Sequence, residues 1–163
     1  MMLSPAVQYF LKKYRTVIEN GDFAELYRKA RRFLTPAEIG ELSACFYEAD
    51  IDPLARLDTV PPCFLYGSDI MKLTVADSIR AIGEDAFSDC KRLSEIALPA
   101  GLTHIGAYAF HRCRSLTALT VPATVTDIGA YAFDGCDRLT LHAPAGSFAA
   151  AYAEARGLTL QLT

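Results

Sequence analysis

The sequence lacks tryptophan, a strong excess of charge of either sign and any long apolar run. Its formal net charge is -3 over 163 residues. No strongly basic domain is therefore present, which argues against nucleic acid as a partner. No stretch approaches the ~18 consecutive apolar residues that a membrane-spanning helix needs. We expect a globular protein without a membrane span.

An apolar leader is also missing. The chain begins Met1-Met2-Leu3-Ser4-Pro5 and continues into a polar, amphipathic segment, whereas a signal peptide has an apolar region of roughly 7–15 residues. The sequence as given predicts a soluble, cytoplasmic protein. A secreted or surface-exposed protein is the alternative if a leader has been removed.

Motifs for metal binding, redox chemistry and catalysis are absent too. The five cysteines form no C-x-x-C pair, and Cys90, Cys113 and Cys136 recur at intervals of 23. This spacing favours core packing in a repeat over metal or redox chemistry, and free thiols are typical of a reducing compartment. No Ser or Cys nucleophile has a base beside it. We predict no enzyme, no metal and no cofactor.

Three histidines differ in register within the repeat and should point to different faces: His104, His111 and His142.

A 23-residue unit occurs three times in register. Its first half reads I-G-x-x-A-F-x-x-C and begins at Ile82, Ile105 and Ile128. Its second half follows an L-x-x-L-x-L pattern that begins at Leu93 and Leu116 and ends in proline. The alternation predicts a short strand with one buried face, which the proline ends. Each unit has an apolar edge that only the next unit can cover, so the units should stack.

These two halves resemble the unit of the BspA-like leucine-rich repeats, over about residues 70–145. The resemblance implies an α/β fold: a right-handed leucine-rich-repeat solenoid of about four short coils, with an N-terminal α-helical cap and a C-terminal helix–strand cap. It also implies a binding scaffold of bacterial or mobile-element type. Many members of the family are surface-exposed and take part in adhesion or host-protein binding, which is the alternative to a cytoplasmic interaction module.

Both ends of the repeat are modified. In an earlier, degraded unit Phe64 holds the place of the motif phenylalanine, and Gly67 stands where cysteine would be. The last strand, within 139–143, is expected to be one residue shorter than its neighbours. A helix over 148–156 and a strand over 158–162 then predict a C-terminal cap.

The N-terminal part reads as helices. Apolar residues from Val7 to Ile18 fall at helical spacing, and Gly21 ends this first helix. Two further helices are predicted to begin at Asp22 and Thr35, each of which is the first residue of a capping-box pattern. No Gly/Ser-rich linker separates the helices from the repeats, so we expect one continuous body in two parts. These are 1–59, an α-helical N-terminal cap, and 60–163, the solenoid with its C-terminal cap.

One dense basic cluster lies on the third predicted helix, opposite its apolar residues: Arg28, Lys29, Arg31 and Arg32. The nearby Glu25 and the local charge balance favour a solvated helix face. The alternative is a contact for an acidic partner, or for nucleic acid in a regulator.

The predicted partner is another protein, whose identity the residues do not give. Solenoids commonly bind through their concave sheet, where outward positions line up. Tyr108 and Tyr131, beside the stacked phenylalanines, are a second candidate contact or else ordinary surface cover. On the concave strands the candidate contact residues are Lys72, Thr74, Glu95, Thr117, Thr120 and His142.

Overall fold

A computed structural model describes residues 3–48 and 57–163 and shows a helical segment followed by a parallel β-solenoid. The predicted first helix is broken at Tyr14, whose φ of -108° and ψ of 25° are not helical. None of the helices in the described ranges is long and apolar enough to cross a membrane. The four N-terminal helices are α1 (Pro5–Lys13), α2 (Arg15–Glu19), α3 (Phe23–Phe33) and α4 (Pro36–Glu48).

The helix starts follow the predicted caps. Thr35 and Glu38 form a reciprocal box, because the Glu38 carboxylate accepts from the Thr35 amide at 2.8 Å and the Thr35 hydroxyl accepts from the Glu38 amide at 3.4 Å. Asp22 caps α3 by accepting from the Glu25 amide at 3.0 Å. The carboxylate of Glu25 does not complete this second box, since it pairs with Arg28 and Lys29 instead.

The solenoid has strands on two faces, all paired in parallel. The four-strand face contains β1 (Thr59–Val60), β3 (Ala81–Ile82), β5 (His104–Ile105) and β7 (Asp127–Ile128). The five-strand face contains β2 (Lys72–Thr74), β4 (Glu95–Ala97), β6 (Ala118–Thr120), β8 (Thr140–Ala143) and β9 (Thr159–Leu162).

The five-strand face corresponds to the predicted L-x-x-L-x-L strands. It consists of a two-stranded sheet and a three-stranded sheet that meet where β4 lies beside β6. Because β9 adds a fifth strand, the solenoid has about five turns where about four were predicted. The two-residue strands of the four-strand face were not predicted, since they are too short to show a period of two.

A column of aromatic rings runs through the core of the solenoid. The rings of Phe87, Phe110 and Phe133 stack with centroids 5.2 and 5.5 Å apart, as the repeat predicted. Phe64 continues the column toward the helices, and its ring lies 5.5 Å from that of Tyr27 on α3. At the other end Phe133 meets Tyr152 on the C-terminal helix. The two tyrosines close the column with hydroxyls bonded to Ser43 and to the Gly129 carbonyl.

The motif glycines are required by close approach between coils. A Cβ on Gly106 would lie 2.7 Å from the amide nitrogen of Glu84, and Gly83 and Gly129 meet backbone of the preceding coil in the same way. A positive φ occurs two residues later instead, at Asp85, Tyr108 and Tyr131, with values of 54°, 55° and 57°. Aspartate tolerates this conformation, whereas tyrosine is rarely found in it.

The first half of the first coil, residues 59–67, has a register that differs from the sequence alignment by one residue, whereas β2 in the second half pairs at the full interval. Val60 pairs with Ile82, one residue short of the interval between Ile82 and Ile105. Leu65 therefore holds the place of Phe87, and its amide donates to the next coil as that of Phe87 does. The assignments of Phe64 to the motif phenylalanine and of Gly67 to the motif cysteine were wrong. The unit lacks one residue between Leu65 and Lys72, so an alignment at the full interval displaces its first half by one position.

The C-terminal end contains the helix α5 (Phe148–Arg156) followed by β9. The Ser147 hydroxyl accepts from the Ala150 amide, and Gly157 ends the helix with a φ of 65°, as predicted. However, β8 is not shorter than its neighbours, because it has four residues. Compared with the preceding coil, this coil lacks one residue just before the strand. Thr140 therefore pairs with Ala118, one position short of the full repeat interval.

Candidate functional site

The predicted contact positions lie in register on the five-strand face. Each three-residue strand buries its central residue and exposes the two beside it. One outward row contains Lys72, Glu95, Ala118 and Thr140. The second outward row contains Thr74, Ala97, Thr120 and His142.

Charge on this face is confined to its first two strands. Lys72 and Glu95 form an ion pair of 2.6 Å between Nζ and Oε2. The hydrogen bond to Glu95 raises the pKa of Lys72 above its ordinary value. Both side chains are well exposed, so the pair adds little to stability. The remaining outward side chains of β2, β4, β6 and β8 are mainly alanine and threonine, with Thr117 exposed at the edge of β6 and His142 half-buried. On β9, Gln161 and Leu162 are exposed.

Tyr108 and Tyr131 form a second candidate surface on the turns that follow β5 and β7. Their rings stack with centroids 5.2 Å apart and planes inclined by 19°. Tyr131 is 49% exposed, and the guanidinium of Arg156 lies over its ring at 5.8 Å. His111 packs edge-on against Tyr108. The tyrosines belong to turns rather than to the outward rows of the five-strand face.

The histidines lie apart, as their different registers predicted. His104 Nδ1 pairs with Asp127 Oδ2 at 2.7 Å on the four-strand face, and His142 is on the five-strand face. His111 Nε2 lies 3.7 Å from an oxygen of Asp134. Among residues 3–48 and 57–163, no three His, Cys, Asp or Glu side chains are grouped to hold a metal ion.

The repeat cysteines are buried and unbridged. Burial raises the pKa of Cys90 to about 12. The neighbouring Cys136 thiol, together with burial, raises the pKa of Cys113 well above its ordinary range. The hydrogen bond between these two thiols lowers the pKa of Cys136. Because the thiolate is the nucleophile and the metal ligand, the protonated thiols of Cys90 and Cys113 are unreactive groups of the core.

Three of the four residues of the basic cluster, Arg28, Arg31 and Arg32, are exposed, and the cluster borders a groove. Glu25 pairs with Arg28 and Lys29 at 2.6 and 2.8 Å, as its position in the sequence suggested. Arg31 and Arg32, however, line a groove of about 490 Å³ between α3 and the first coil. Sequence reasoning missed this groove because it exists only where the helix packs on residues far along the chain.

Comparisons with known proteins agree with this architecture. The family pattern described as BspA type leucine rich repeat region (6 copies) matches residues 43–144, which is more than half of the chain. No match was found among curated proteins.

Solved structures of bacterial leucine-rich repeat proteins are also similar. One from Eubacterium ventriosum ATCC 27560 has 24% identity and a TM-score of 0.50, covering 55% of this chain and 24% of that one. One from Bacteroides capillosus ATCC 29799 has 28% identity and a TM-score of 0.47, covering 52% of this chain and 63% of that one. The T. pallidum leucine-rich repeat protein has 28% identity and a TM-score of 0.46, covering 53% and 52% respectively. This chain thus spans less than two thirds of each of these proteins. By its family match and its parallel solenoid, the chain belongs to the BspA-type leucine-rich repeat family.

Proposed function

We propose that this protein is a non-catalytic scaffold that binds a protein partner through the five-strand face. Leucine-rich repeats of this type suggest an interaction scaffold, and a stack of parallel strands provides an extended surface for contact. The observation that carries the proposal is the in-register exposure of two rows of side chains on successive strands.

The composition of this face favours a protein partner over a small charged ligand. Apart from the ion pair of Lys72 and Glu95 and the half-buried His142, the outward residues of β2, β4, β6 and β8 are alanine and threonine. Threonine hydroxyls can exchange hydrogen bonds with a partner, and alanines allow its backbone to approach. Small side chains also lose little conformational entropy when they are covered. Contact residues in such an interface include Thr74, Glu95 and Thr120.

Capture of partners from the native cell tests the proposal with one variant and one matched control. Ala118→Arg places a long cation at the centre of the five-strand face, where Ala118 is exposed on β6. Ala145→Arg makes the same change at an exposed turn before α5. We expect mass spectrometry to show a protein that is retained by the wild type and by Ala145→Arg and is lost with Ala118→Arg. Equal retention by both variants would contradict binding through this face.

A second contact surface, at Tyr108 and Tyr131, is supported by a specific observation. Two bulky side chains occupy left-handed backbone positions in successive coils, which has an energetic cost, and one of them remains half exposed. Exposed aromatic side chains are frequent anchors of protein interfaces. The double variant Tyr108→Asn and Tyr131→Asn removes both rings. Asparagine tolerates the left-handed backbone conformation, so the substitutions do not add strain. Loss of a partner that Ala118→Arg still retains would identify this surface as a separate contact.

A further inference from the structure

The groove between α3 and the first coil has the size and the mixed lining of a ligand site. Its volume of about 490 Å³ lies within the range of roughly 300–1,000 Å³ found for binding pockets. One wall is the basic side of α3. The opposite wall is formed by residues between 57 and 62, a segment that contains β1. The lining residues on which the argument depends are Arg31, Arg32, Leu57, Asp58, Pro61 and Pro62.

Positive charge in the groove is incompletely neutralised. Arg28 also lines it, but its guanidinium is held by two hydrogen bonds to the Glu25 carboxylate, at 2.6 and 2.8 Å. Arg31 and Arg32 are exposed and have no ion-pair partner within the described part of the chain. Among the described lining residues Asp58 is the one carboxylate, against three arginines, so positive charge is in excess there.

The floor of the groove is apolar. Leu57 and Pro62 are half-buried and provide the apolar surface of the lining. Tyr27 and Pro61 are buried and present little surface to the groove. A ligand with carboxylates and at least one apolar group would therefore match both parts of the lining.

Addition of a β-strand is not the mode of recognition that this groove favours. In each later coil, the glycine after the short strand donates its amide to the preceding strand, as Gly83 does to Val60 at 2.9 Å and Gly106 does to Ile82 at 2.8 Å. Pro61 holds the equivalent position in the first coil and has no amide hydrogen to donate. The edge of the four-strand face is thus blocked at Pro61, so a ligand would be recognised by side chains.

We propose that the groove binds an acidic peptide segment of a protein partner. Its carboxylates pair with Arg31 and Arg32, for which planar bidentate pairing is available, and an apolar side chain of the peptide packs on Leu57 and Pro62. The site is separate from the five-strand face and goes beyond the function proposed above. A nucleic-acid backbone fits less well, because it is usually held by several phosphate contacts along its length, whereas the described lining offers two guanidinium groups, those of Arg31 and Arg32, besides that of Arg28 held by Glu25.

Fluorescence anisotropy with a defined peptide tests this proposal. The probe is a rhodamine-labelled peptide of glutamates and leucines, and its control has glutamines in place of the glutamates. The test variant carries Arg31→Glu and Arg32→Glu. The matched variant carries Arg114→Glu and Arg138→Glu, which change the net charge equally at exposed positions of the solenoid. Circular dichroism of each protein checks that it is folded.

The expected result is a saturable interaction of the wild type with the glutamate peptide. Its Kd should rise at least about tenfold in the Arg31/Arg32 variant, which corresponds to about 1.4 kcal/mol, and should change by less than about threefold in the Arg114/Arg138 variant. A peptide of lysines and leucines should bind the Arg31/Arg32 variant more tightly than the wild type. The affinity of the wild type for the glutamate peptide should fall as salt concentration rises.

Three results would overturn the proposal. The first is the absence of saturable binding, or equal binding of the glutamine peptide. The second is an equal loss of affinity in both charge-reversal variants, which would show that net charge alone attracts the peptide. The third is tighter binding of a DNA oligonucleotide that also depends on Arg31 and Arg32, which would assign the groove to nucleic acid.

Discussion

The thiol of Cys113 donates a hydrogen bond to the carbonyl oxygen of Phe87 in the preceding coil, at a sulfur–oxygen distance of 3.1 Å. Cys136 makes the same contact with Phe110 at 3.0 Å, and Cys90 makes it with Leu65 at 2.9 Å. Each of these carbonyl oxygens also accepts a backbone amide of its own coil, as Phe87 accepts that of Cys90 at 3.2 Å. The thiol therefore bonds the second lone pair of the oxygen and joins two successive coils. Cysteine is small enough for the core and supplies this donor, which is consistent with its recurrence in every full unit.

The reactivity of these thiols should report on the folding of the solenoid. We expect iodoacetamide at pH 8 to leave Cys90 and Cys113 unmodified in the native protein, because both are buried and have raised pKa values. In denaturant all five cysteines should react. Cys63 is half-buried and its pKa is raised to about 11 by burial, so it should react slowly. Mass spectrometry of peptides measures each site, and native modification of Cys113 at the denatured rate would contradict this account.

Stability should fall in alkaline solution through the same groups. Burial raises the pKa of Cys90 from 9.0 to about 12, so the folded protein favours the neutral thiol. The contribution of the buried Cys90 thiol to the free energy of unfolding is complete below about pH 9, where the thiol is protonated in both the folded and the unfolded protein. It is lost as the pH rises toward about 12. Denaturant unfolding between pH 8 and 11 measures it. Cys90→Ala should be less stable at pH 8 but show a shallower decline, and an equal slope in both proteins would argue against this role.

Because the coils approach closely at Gly106 but not at Gly101, alanine should lower the free energy of unfolding much more at position 106 than at position 101. In Gly106→Ala the new methyl would meet backbone atoms of Gly83 and Glu84. These atoms are fixed by the solenoid, so we expect a loss of about 1–3 kcal/mol in the free energy of unfolding. In Gly101→Ala the methyl meets the exposed side chain of Arg80, which can move aside. That control should cost less than about 0.5 kcal/mol in urea titrations. Equal costs would contradict the steric explanation.

The parts of the fold that recur in sequence could be predicted from it. Phe87, Phe110 and Phe133 share one environment because an equal interval in the chain becomes an equal position in each coil. The L-x-x-L-x-L segments became strands with the expected buried faces, such as that of Ile96 in β4. The misplacement of Phe64 has the same origin, since a deleted residue shifts the interval on which the prediction depends.

Features that depend on contacts between distant segments could not be predicted. The groove beside Arg31 requires α3 to lie against Pro61 and Pro62, and no local pattern encodes that approach. The left-handed conformation at Tyr131 was also missed, because tyrosine gives no signal for it. The equivalent Asp85 could have indicated this conformation, since aspartate is enriched there.

The left-handed backbone at Tyr131 predicts an unusual order of stabilities among variants. Tyr131→Asn and Tyr131→Val both lose the ring stacked on Tyr108 and its contact with Arg156, worth about 0.5–1.5 kcal/mol for the stacking alone. Asparagine tolerates the φ of 57°, so it also relieves strain, whereas a β-branched valine does not.

We therefore expect Tyr131→Val to be less stable than Tyr131→Asn by about 1 kcal/mol, although valine is the more apolar residue. Urea titration of the two variants measures the difference directly. The pair Ala118→Val and Ala118→Asn, at an exposed strand position with ordinary backbone, should show the reverse order because valine favours strands. If valine were also the more stable residue at position 131, the conformational cost assigned to Tyr131 would have to be abandoned.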